Sequence, residues 1–140
     1  MSQNEIDGQF YVAGNVTGKL VKSERPISFW GGLDPKEGKI IDRRSDICGR
    51  EVADRILAFP EGIGSSTTSA VLLEAVRNSR APLGIVNVTT EPILLTGALV
   101  AKEFYGEVIP IVSVSREEFE KLKDGQKLTL DGNRSKLLAG

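Results

Sequence analysis

Apolar and polar positions follow two alternating patterns through the middle of the chain. Short apolar runs, typical of buried strands, are separated by longer segments with apolar residues at helical spacing. The runs predict strands at 52–59, 83–88 and 108–114, with helices over 66–80 and 91–104 between them. This strand–helix–strand–helix–strand order favours a parallel central sheet with helices packed on it.

Capping signals support the predicted helices. Ser65 or Ser66 can cap the first helix. Pro92 suits the first turn of the second helix, and Gly106 can end it. The sequence from Ser115 to Glu118 resembles a capping box, which predicts a short third helix through about residue 122.

The first third of the chain is rich in β-forming residues and interrupted by glycines. Strands are predicted there and near the C-terminus, at 9–22 with a bend, 26–30, 39–41 and 127–130, the last followed by a turn and a basic tail. We therefore expect an α/β fold, with a largely parallel central sheet, helices, and an additional β layer contributed by the N-terminal strands. The length of 140 residues predicts a single domain, 1–140.

The composition narrows the class of protein. Hydrophobic residues make up 40% and charged residues 26%, and the formal net charge is −1. This balance argues against a basic surface for nucleic acid. No apolar stretch reaches the roughly 20 residues that span a bilayer, and the polar N-terminus has no signal-peptide pattern. We expect a cytoplasmic protein with no nucleic-acid or membrane partner.

Two residue types are scarce. The chain has no histidine and one cysteine, Cys48. It therefore lacks the commonest general base and metal ligand. One thiol can form no internal disulfide and cannot hold an iron–sulfur cluster alone. Any metal that the protein uses must be held largely by another chain or domain.

The strongest local signal lies between a predicted strand and a predicted helix, where the sequence reads Phe-Pro-Glu-Gly-Ile-Gly-Ser-Ser-Thr-Thr from Phe59 to Thr68. In α/β sheets, ligands bind beyond the carboxyl ends of the strands. Gly62 and Gly64 let backbone approach a ligand, and a helix N-terminus favours an anion such as a phosphate or a serine alkoxide. The alternative is that the hydroxyl residues only cap the helix.

Two common sites do not fit this turn. A phosphate-binding P-loop needs a Gly-Lys-Ser/Thr sequence, and no lysine occurs between Lys39 and Lys102. A serine hydrolase needs a base beside its nucleophile, and the chain has no histidine for that role.

A second polar cluster runs from Asp42 to Asp46. Arg43 and Arg44 in this cluster could pair with a carboxylate or a phosphate if they point into a cleft. The alternative is that both arginines are simply solvated. Glu91 precedes a predicted helix, where a carboxylate is favoured by the helix dipole.

Several motifs, taken in order, resemble the small subunit of aconitase X enzymes. They are Gly31-Gly32-Leu33-Asp34-Pro35, Phe59-Pro60 followed by Gly62-Ile63-Gly64-Ser65-Ser66, Glu91-Pro92, and Gly97-Ala98. The resemblance implies a swivelling β/β/α domain. It also implies a heterodimer with a large subunit, which holds a 4Fe-4S cluster that this chain alone does not bind. The implied activity is that of a hydro-lyase, active only with its large subunit, which dehydrates (R)-5-phosphomevalonate to trans-anhydromevalonate 5-phosphate in the archaeal mevalonate pathway of isoprenoid biosynthesis.

The resemblance also implies roles for individual residues. Ser65 would be the catalytic proton acceptor. The implied substrate-binding residues are Gly62, Gly64, Ser66, Thr67 and Thr68. Thr67 stands where aconitases have an arginine, so oxyanion support would come from backbone N–H groups or from the partner. A helix N-terminus stabilises negative charge on a serine, and departure of the hydroxyl group needs a Lewis acid.

Two alternatives remain open. One is an aconitase X enzyme of the same kind that dehydrates a hydroxyproline. The other is a non-catalytic binding or scaffold module. Some swivelling domains carry a phosphohistidine, and the absence of histidine excludes that kind of module here.

Overall fold

A computed structural model describes residues 4–63 and 67–140. Along these residues the strands and helices follow one another in this order: β1 (Asn4–Asp7), β2 (Gln9–Val12), β3 (Asn15–Lys22), β4 (Leu33–Asp34), β5 (Lys39–Ile40), β6 (Ile56–Ala58), α1 (Thr68–Arg77), β7 (Gly84–Asn87), α2 (Pro92–Tyr105), β8 (Ile111–Ser113), α3 (Arg116–Lys121), β9 (Lys127–Asp131) and β10 (Lys136–Ala139).

The main sheet contains eight strands in the order β1-β10-β9-β3-β6-β7-β8-β2. Its four central strands, β3, β6, β7 and β8, are mutually parallel. The strands on either side of them pair antiparallel, and β4 and β5 form a separate small ladder. The expectation of a largely parallel central sheet with helices is confirmed.

Strand β3 belongs to two layers. Its first part, residues 15–19, pairs with β9, and its last part, residues 20–22, pairs with β6. The antiparallel strands β1, β9 and β10 therefore continue from one end of β3 and cover one face of the parallel strands. The N-terminal segment supplies only part of this additional β layer, because β9 and β10 come from the C-terminus.

Consecutive residues of the parallel strands enter opposite hydrophobic cores. Leu57 and Ile85 belong to the core shared with α1 and α2, whereas Ile56 and Val86 belong to the core shared with β9, β10 and α3. Side chains alternate between the faces of a strand, so a strand buried on both faces needs an unbroken apolar run. This explains the runs in the sequence and confirms the β/β/α layering.

Of the three helices in the described residues, α2 and α3 begin at the capping residues that the sequence predicts. Helix α2 has Glu91 as its N-cap and ends at Gly106, whose φ of 68° is left-handed. Ser115 caps α3 by accepting a hydrogen bond of 3.1 Å from the backbone N–H of Glu118. Helix α1 differs, because it begins at Thr68 with Thr67 as its N-cap.

Four segments differ from the sequence-based prediction. Residues 9–22 form two separate strands, β2 paired with β8 and β3 paired with β6 and β9, instead of one bent strand. Residues 26–30 are not a strand, and only Ile27 makes a bridge there, with Gly62. The basic tail is strand β10, and β1 was not predicted. These assignments depend on pairing with distant strands, since β10 lies between β9 and β1 and fully buries Leu137.

Within the described residues, α2 is the longest helix at 14 residues, and none of the helices has the length and apolar character needed to cross a membrane.

Candidate functional site

The carboxyl ends of the four parallel strands meet at one edge of the sheet. After β6 the chain continues through residues 59–63 towards α1, and after β7 it continues through residues 88–91 towards α2. Ligands of α/β proteins bind at this edge. The glycine- and serine-rich turn therefore lies in the chain where the sequence analysis predicted it, between a strand end and a helix start.

The centre of this turn, Gly64, Ser65 and Ser66, lies outside the described residues. The catalytic role of Ser65 and the substrate-binding roles of its two neighbours stay predictions. The described residues on either side, Ile63 and Thr67, show what surrounds the turn.

The segment leading into the turn is held from both sides. On one side, the backbone N–H of Ile27 donates to Glu61 O at 3.2 Å, and the backbone N–H of Ile63 donates to Ile27 O at 2.9 Å. On the other side, Val88 and Thr89 donate their backbone N–H groups to Pro60 O at 2.9 and 3.0 Å. These bonds extend the parallel sheet beyond its regular strands and fix the approach to residue 64.

Gly62 lies against Glu91, at the start of α2. A Cβ atom at Gly62 would be 3.2 Å from the Cβ atom of Glu91, a contact that a larger residue would crowd. The Glu91 carboxylate accepts hydrogen bonds from the backbone N–H groups of Ile93 at 2.8 Å and Leu94 at 3.0 Å. Glu91 therefore caps α2, which is the structural role that its position predicted. The proposed substrate-binding role of Gly62 stays a prediction.

Thr67 and Thr68 form the start of α1. Thr67 is half-buried, and its carbonyl accepts from the Val71 backbone N–H at 3.0 Å. Thr68 is 4% exposed, and its Oγ1 atom has no hydrogen-bond partner among the described residues. Buried hydroxyl groups are almost always paired, so Thr68 keeps hydrogen-bonding capacity beside the turn. The substrate-binding roles of both threonines stay predictions.

Ser23 and Asp46 connect two loops at the same edge. Ser23 is fully buried directly after β3, and its Oγ donates to Asp46 Oδ1 at 2.6 Å. The second carboxylate oxygen of Asp46 accepts from the backbone N–H of Glu24 at 2.8 Å. Sequence reasoning did not find this link. Its one signal was a serine directly after an apolar strand.

A cleft of about 270 Å³ opens beside Ile63. We call it the arginine cleft, and it is lined by Arg25, Pro26, Ile27, Ser28, Gly32, Ile40, Asp42, Arg44, Ser45 and Ile63. Of the two arginines considered from the sequence, Arg44 lines the cleft and Arg43 does not. Arg25, which the sequence analysis did not single out, is the second cationic residue of the lining.

The charges of the arginine cleft are partly balanced. Arg44 Nε lies 3.2 Å from Asp42 Oδ1, in an ion pair whose arginine side chain is 90% exposed. The backbone N–H of Arg44 also donates to this oxygen at 2.9 Å, and chiefly this bond holds the pKa of Asp42 below its ordinary value. Arg25 donates from Nη1 to Arg44 O at 3.1 Å. Two cations and one carboxylate leave an excess positive charge at the cleft.

The ligands for an iron–sulfur cluster do not come together in the described part of this chain. No group of three or more histidine, cysteine, aspartate or glutamate side chains with metal-binding geometry occurs among residues 4–63 and 67–140. Cys48 is exposed, and it is the one cysteine of the sequence. The described residues therefore do not fit a cluster site of their own.

Known proteins resemble this chain along most of its length. The family described as aconitase X swivel domain matches residues 5–139. The phosphomevalonate dehydratase small subunit of Thermococcus gammatolerans is 36% identical over 95% of this chain and 95% of that protein. The cis-3-hydroxy-L-proline dehydratase of Pseudomonas aeruginosa is 42% identical over 79% of this chain and 19% of that protein.

A solved structure shares the fold. The crystal structure of Thermococcus kodakaraensis aconitase X in its holo form matches with a TM-score of 0.88 and 34% identity, over 98% of both chains. The present chain spans about a fifth of the length of the curated hydroxyproline dehydratases that it matches. Together with the β/β/α layering, these matches establish that the chain belongs to the aconitase X swivel domain family.

Proposed function

We propose that this chain is the small subunit of a two-subunit hydro-lyase that dehydrates (R)-5-phosphomevalonate to trans-anhydromevalonate 5-phosphate. The observation that carries the proposal is the match with phosphomevalonate dehydratase small subunits, which extends over 95% of the Thermococcus gammatolerans protein. In this proposal, residues 1–140 form a single aconitase-like swivelling domain.

Ser65 is the proton acceptor in this mechanism. Its alkoxide takes a proton from the carbon next to the one that bears the hydroxyl group. The electron pair of the broken C–H bond forms the C=C bond, and the hydroxyl group leaves from the neighbouring carbon. An alkoxide is unstable in water, and the N-terminus of α1, which begins at Thr68, supplies oriented N–H groups that stabilise its charge.

The residues around Ser65 bind and orient the substrate. Gly62 and Gly64 let the substrate approach the backbone, and Ser66, Thr67 and Thr68 provide hydroxyl groups. The buried Oγ1 of Thr68, without a partner among the described residues, supports this assignment. The hydrogen bonds of Ile27 and Thr89 to residues 60–63 hold the entrance of the turn in place.

The large subunit completes the active site. Departure of the hydroxyl group needs a Lewis acid, and we assign it to a 4Fe-4S cluster in the large subunit. The small-subunit names of the relatives support a partner chain. The single cysteine and the lack of histidine in this chain support cluster ligands on the partner chain.

Reconstitution with the large subunit from the same organism tests the proposal. The pair is expected to dehydrate phosphomevalonate, whereas this chain alone shows no turnover. Ser65→Ala should lower kcat by at least about a hundredfold, which is the typical contribution of a general base. Ser69→Ala is a matched control, because the Cβ of Ser69 packs towards Gly97 of α2. Activity of Ser65→Ala near the wild-type level would show that Ser65 is not the base.

A second substrate is supported by a separate observation. The Pseudomonas aeruginosa relative, at 42% identity, is a cis-3-hydroxy-L-proline dehydratase. Assaying the reconstituted pair on both substrates decides between them. The proposal requires a higher kcat/KM for phosphomevalonate, and a higher kcat/KM for the hydroxyproline would replace the substrate while keeping the role of Ser65.

A further inference from the structure

The arginine cleft directly borders the segment that leads into the catalytic turn. Ile63 lines the cleft and lies two residues before Ser65 in the sequence. Its backbone is joined to Ile27, another lining residue, by a hydrogen bond of 2.9 Å. A small molecule in the cleft therefore contacts the same segment that presents the predicted base.

The lining of the cleft is divided between apolar and cationic groups. Ile27, Ile40 and Ile63 give it an apolar part, and Arg25 and Arg44 are its two cationic lining residues. Arg25 uses Nη1 for the carbonyl of Arg44, and Arg44 uses Nε for Asp42. A guanidinium group has five N–H donors, so each arginine has further donors for an anion. This arrangement suits a molecule with a hydrocarbon body and an anionic end.

We propose that the arginine cleft binds the phosphate group of the substrate, with Arg25 and Arg44 as specificity-determining residues. Guanidinium groups match phosphate oxygens in geometry and bind them with paired hydrogen bonds. A phosphate monoester carries a charge near −2 at neutral pH, so it gains more from two guanidinium groups than a carboxylate does. The apolar side chains contact the carbon chain between the phosphate and the reacting carbons.

This inference rests on the proposed function, and it is tested in the same reconstituted pair. The variant Arg25→Gln/Arg44→Gln removes both charges. We expect the KM for phosphomevalonate to rise at least about tenfold, with kcat largely retained, because charge-assisted hydrogen bonds to the phosphate are lost. Mevalonate has the same carboxylate and hydroxyl groups but no phosphate, so its inhibition constant as a competitive inhibitor should change less than about threefold.

Arg43→Gln is the matched control, because Arg43 is exposed beside Arg44 and does not line the cleft. It should leave the KM unchanged. Arg44→Gln provides a second variant that is expected to fold, since its side chain is 90% exposed, and it should raise the KM in the same direction. An unchanged KM in both cleft variants overturns the proposal. An equal rise for Arg43→Gln overturns it as well, because the effect would then be one of general charge.

Comparing the KM with the inhibition constant also distinguishes a cleft that binds the phosphate group from one that binds the carboxylate group. If the KM for phosphomevalonate and the inhibition constant for mevalonate rise together, the cleft binds the carboxylate and the proposal is overturned. Different results would contradict the proposed function: the wild-type pair does not dehydrate phosphomevalonate, or Ser65→Ala is as active as the wild type. A pair that dehydrates only the hydroxyproline, which has no phosphate, overturns both.

Discussion

Asp46 Oδ1 accepts a hydrogen bond of 2.6 Å from the hydroxyl group of Ser23, and this bond joins the polar loop after β5 to the end of β3. The second oxygen of Asp46 accepts from the backbone N–H of Glu24 at 2.8 Å. The segment held in this way continues to Ile27, which pairs with residues 61–63, the segment that leads into the glycine- and serine-rich turn. Asp46 therefore supports the carboxyl edge of the parallel strands without lining the arginine cleft.

Asp46→Ala should lower the free energy of unfolding by about 1–3 kcal/mol, because two hydrogen bonds to a charged group are lost beside the buried Ser23. Urea denaturation followed by circular dichroism measures the change. Glu103→Ala, which removes an exposed carboxylate on α2, is the control and should stay within about 0.5 kcal/mol of wild type. Equal stability of the Asp46 and Glu103 variants would contradict the support assigned to Asp46.

Gly97 sets the distance between α1 and α2. A Cβ atom at Gly97 would lie 2.9 Å from the Cα atom of Ser69, and backbone cannot yield as a flexible side chain can. Gly97→Ala should therefore destabilise the domain by about 1–3 kcal/mol, as overpacking does, although alanine is the better helix former. Thermal unfolding measures the stability of both variants. Thr96→Ala, at the neighbouring exposed position of α2, should show no comparable loss of stability. A more stable Gly97→Ala variant would show that the helices separate without penalty.

Asp124 should make stability sensitive to acid. Partial burial raises the pKa of its carboxyl group, but hydrogen bonds from the Arg50 side chain and the Lys22 backbone N–H outweigh this and hold the pKa below its ordinary value. Because the folded state favours the ionised carboxylate, its stabilising contribution is present above about pH 4 and is lost as the pH falls towards the folded-state pKa.

The stability difference between wild type and Asp124→Asn should be constant from about pH 7 to pH 5 and shrink below about pH 4. Urea denaturation at a series of pH values measures it. High salt should reduce the difference at neutral pH, because the Arg50–Asp124 pair is partly exposed. A difference that grows in acid would mean that the carboxyl group is stabilised in its protonated form.

Asp42 should weaken anion binding in the arginine cleft, because its carboxylate pairs with Arg44. Asp42→Asn removes the negative charge and keeps an oxygen that can accept the Arg44 backbone N–H. We expect the KM for phosphomevalonate to fall about two- to threefold at low salt, with a smaller change at high salt.

Asp34→Asn is the control for this experiment. Asp34 accepts a backbone hydrogen bond two residues ahead, from Lys36 at 2.9 Å, in the same way as Asp42 does, but it does not line the cleft. Steady-state kinetics of the reconstituted pair measures both variants. If Asp42→Asn raised the KM, the carboxylate would be contributing to substrate binding.

Local sequence patterns were sufficient to predict those strands and helix starts whose stabilising contacts are local or repeat along the chain. The apolar runs predicted β6, β7 and β8 because each of these strands is buried on both faces. Glu91 and Ser115 predicted helix starts because a cap bonds to N–H groups only two or three residues away. The position of the turn around Ser65, between a strand and a helix, followed from the same reasoning.

Pairing between distant segments was decided by the tertiary structure. The C-terminal tail forms β10 because β9 and β1 pair with it on both sides. Residues 26–30 do not form the predicted strand, because only Ile27 has a β-bridge partner there. Neither assignment can be predicted from the alternation of apolar and polar residues within the segment itself.

The sequence by itself determined the layered α/β fold and the place of the glycine- and serine-rich turn along the chain, because burial periodicity and helix capping act over a few residues. It could not place Arg25 beside Arg44, or Asp46 beside Ser23, since these pairs are 19 and 23 residues apart in the chain. Only the packing of loops at the carboxyl edge of the sheet brings them together. The surroundings of the turn are therefore a property of the folded chain.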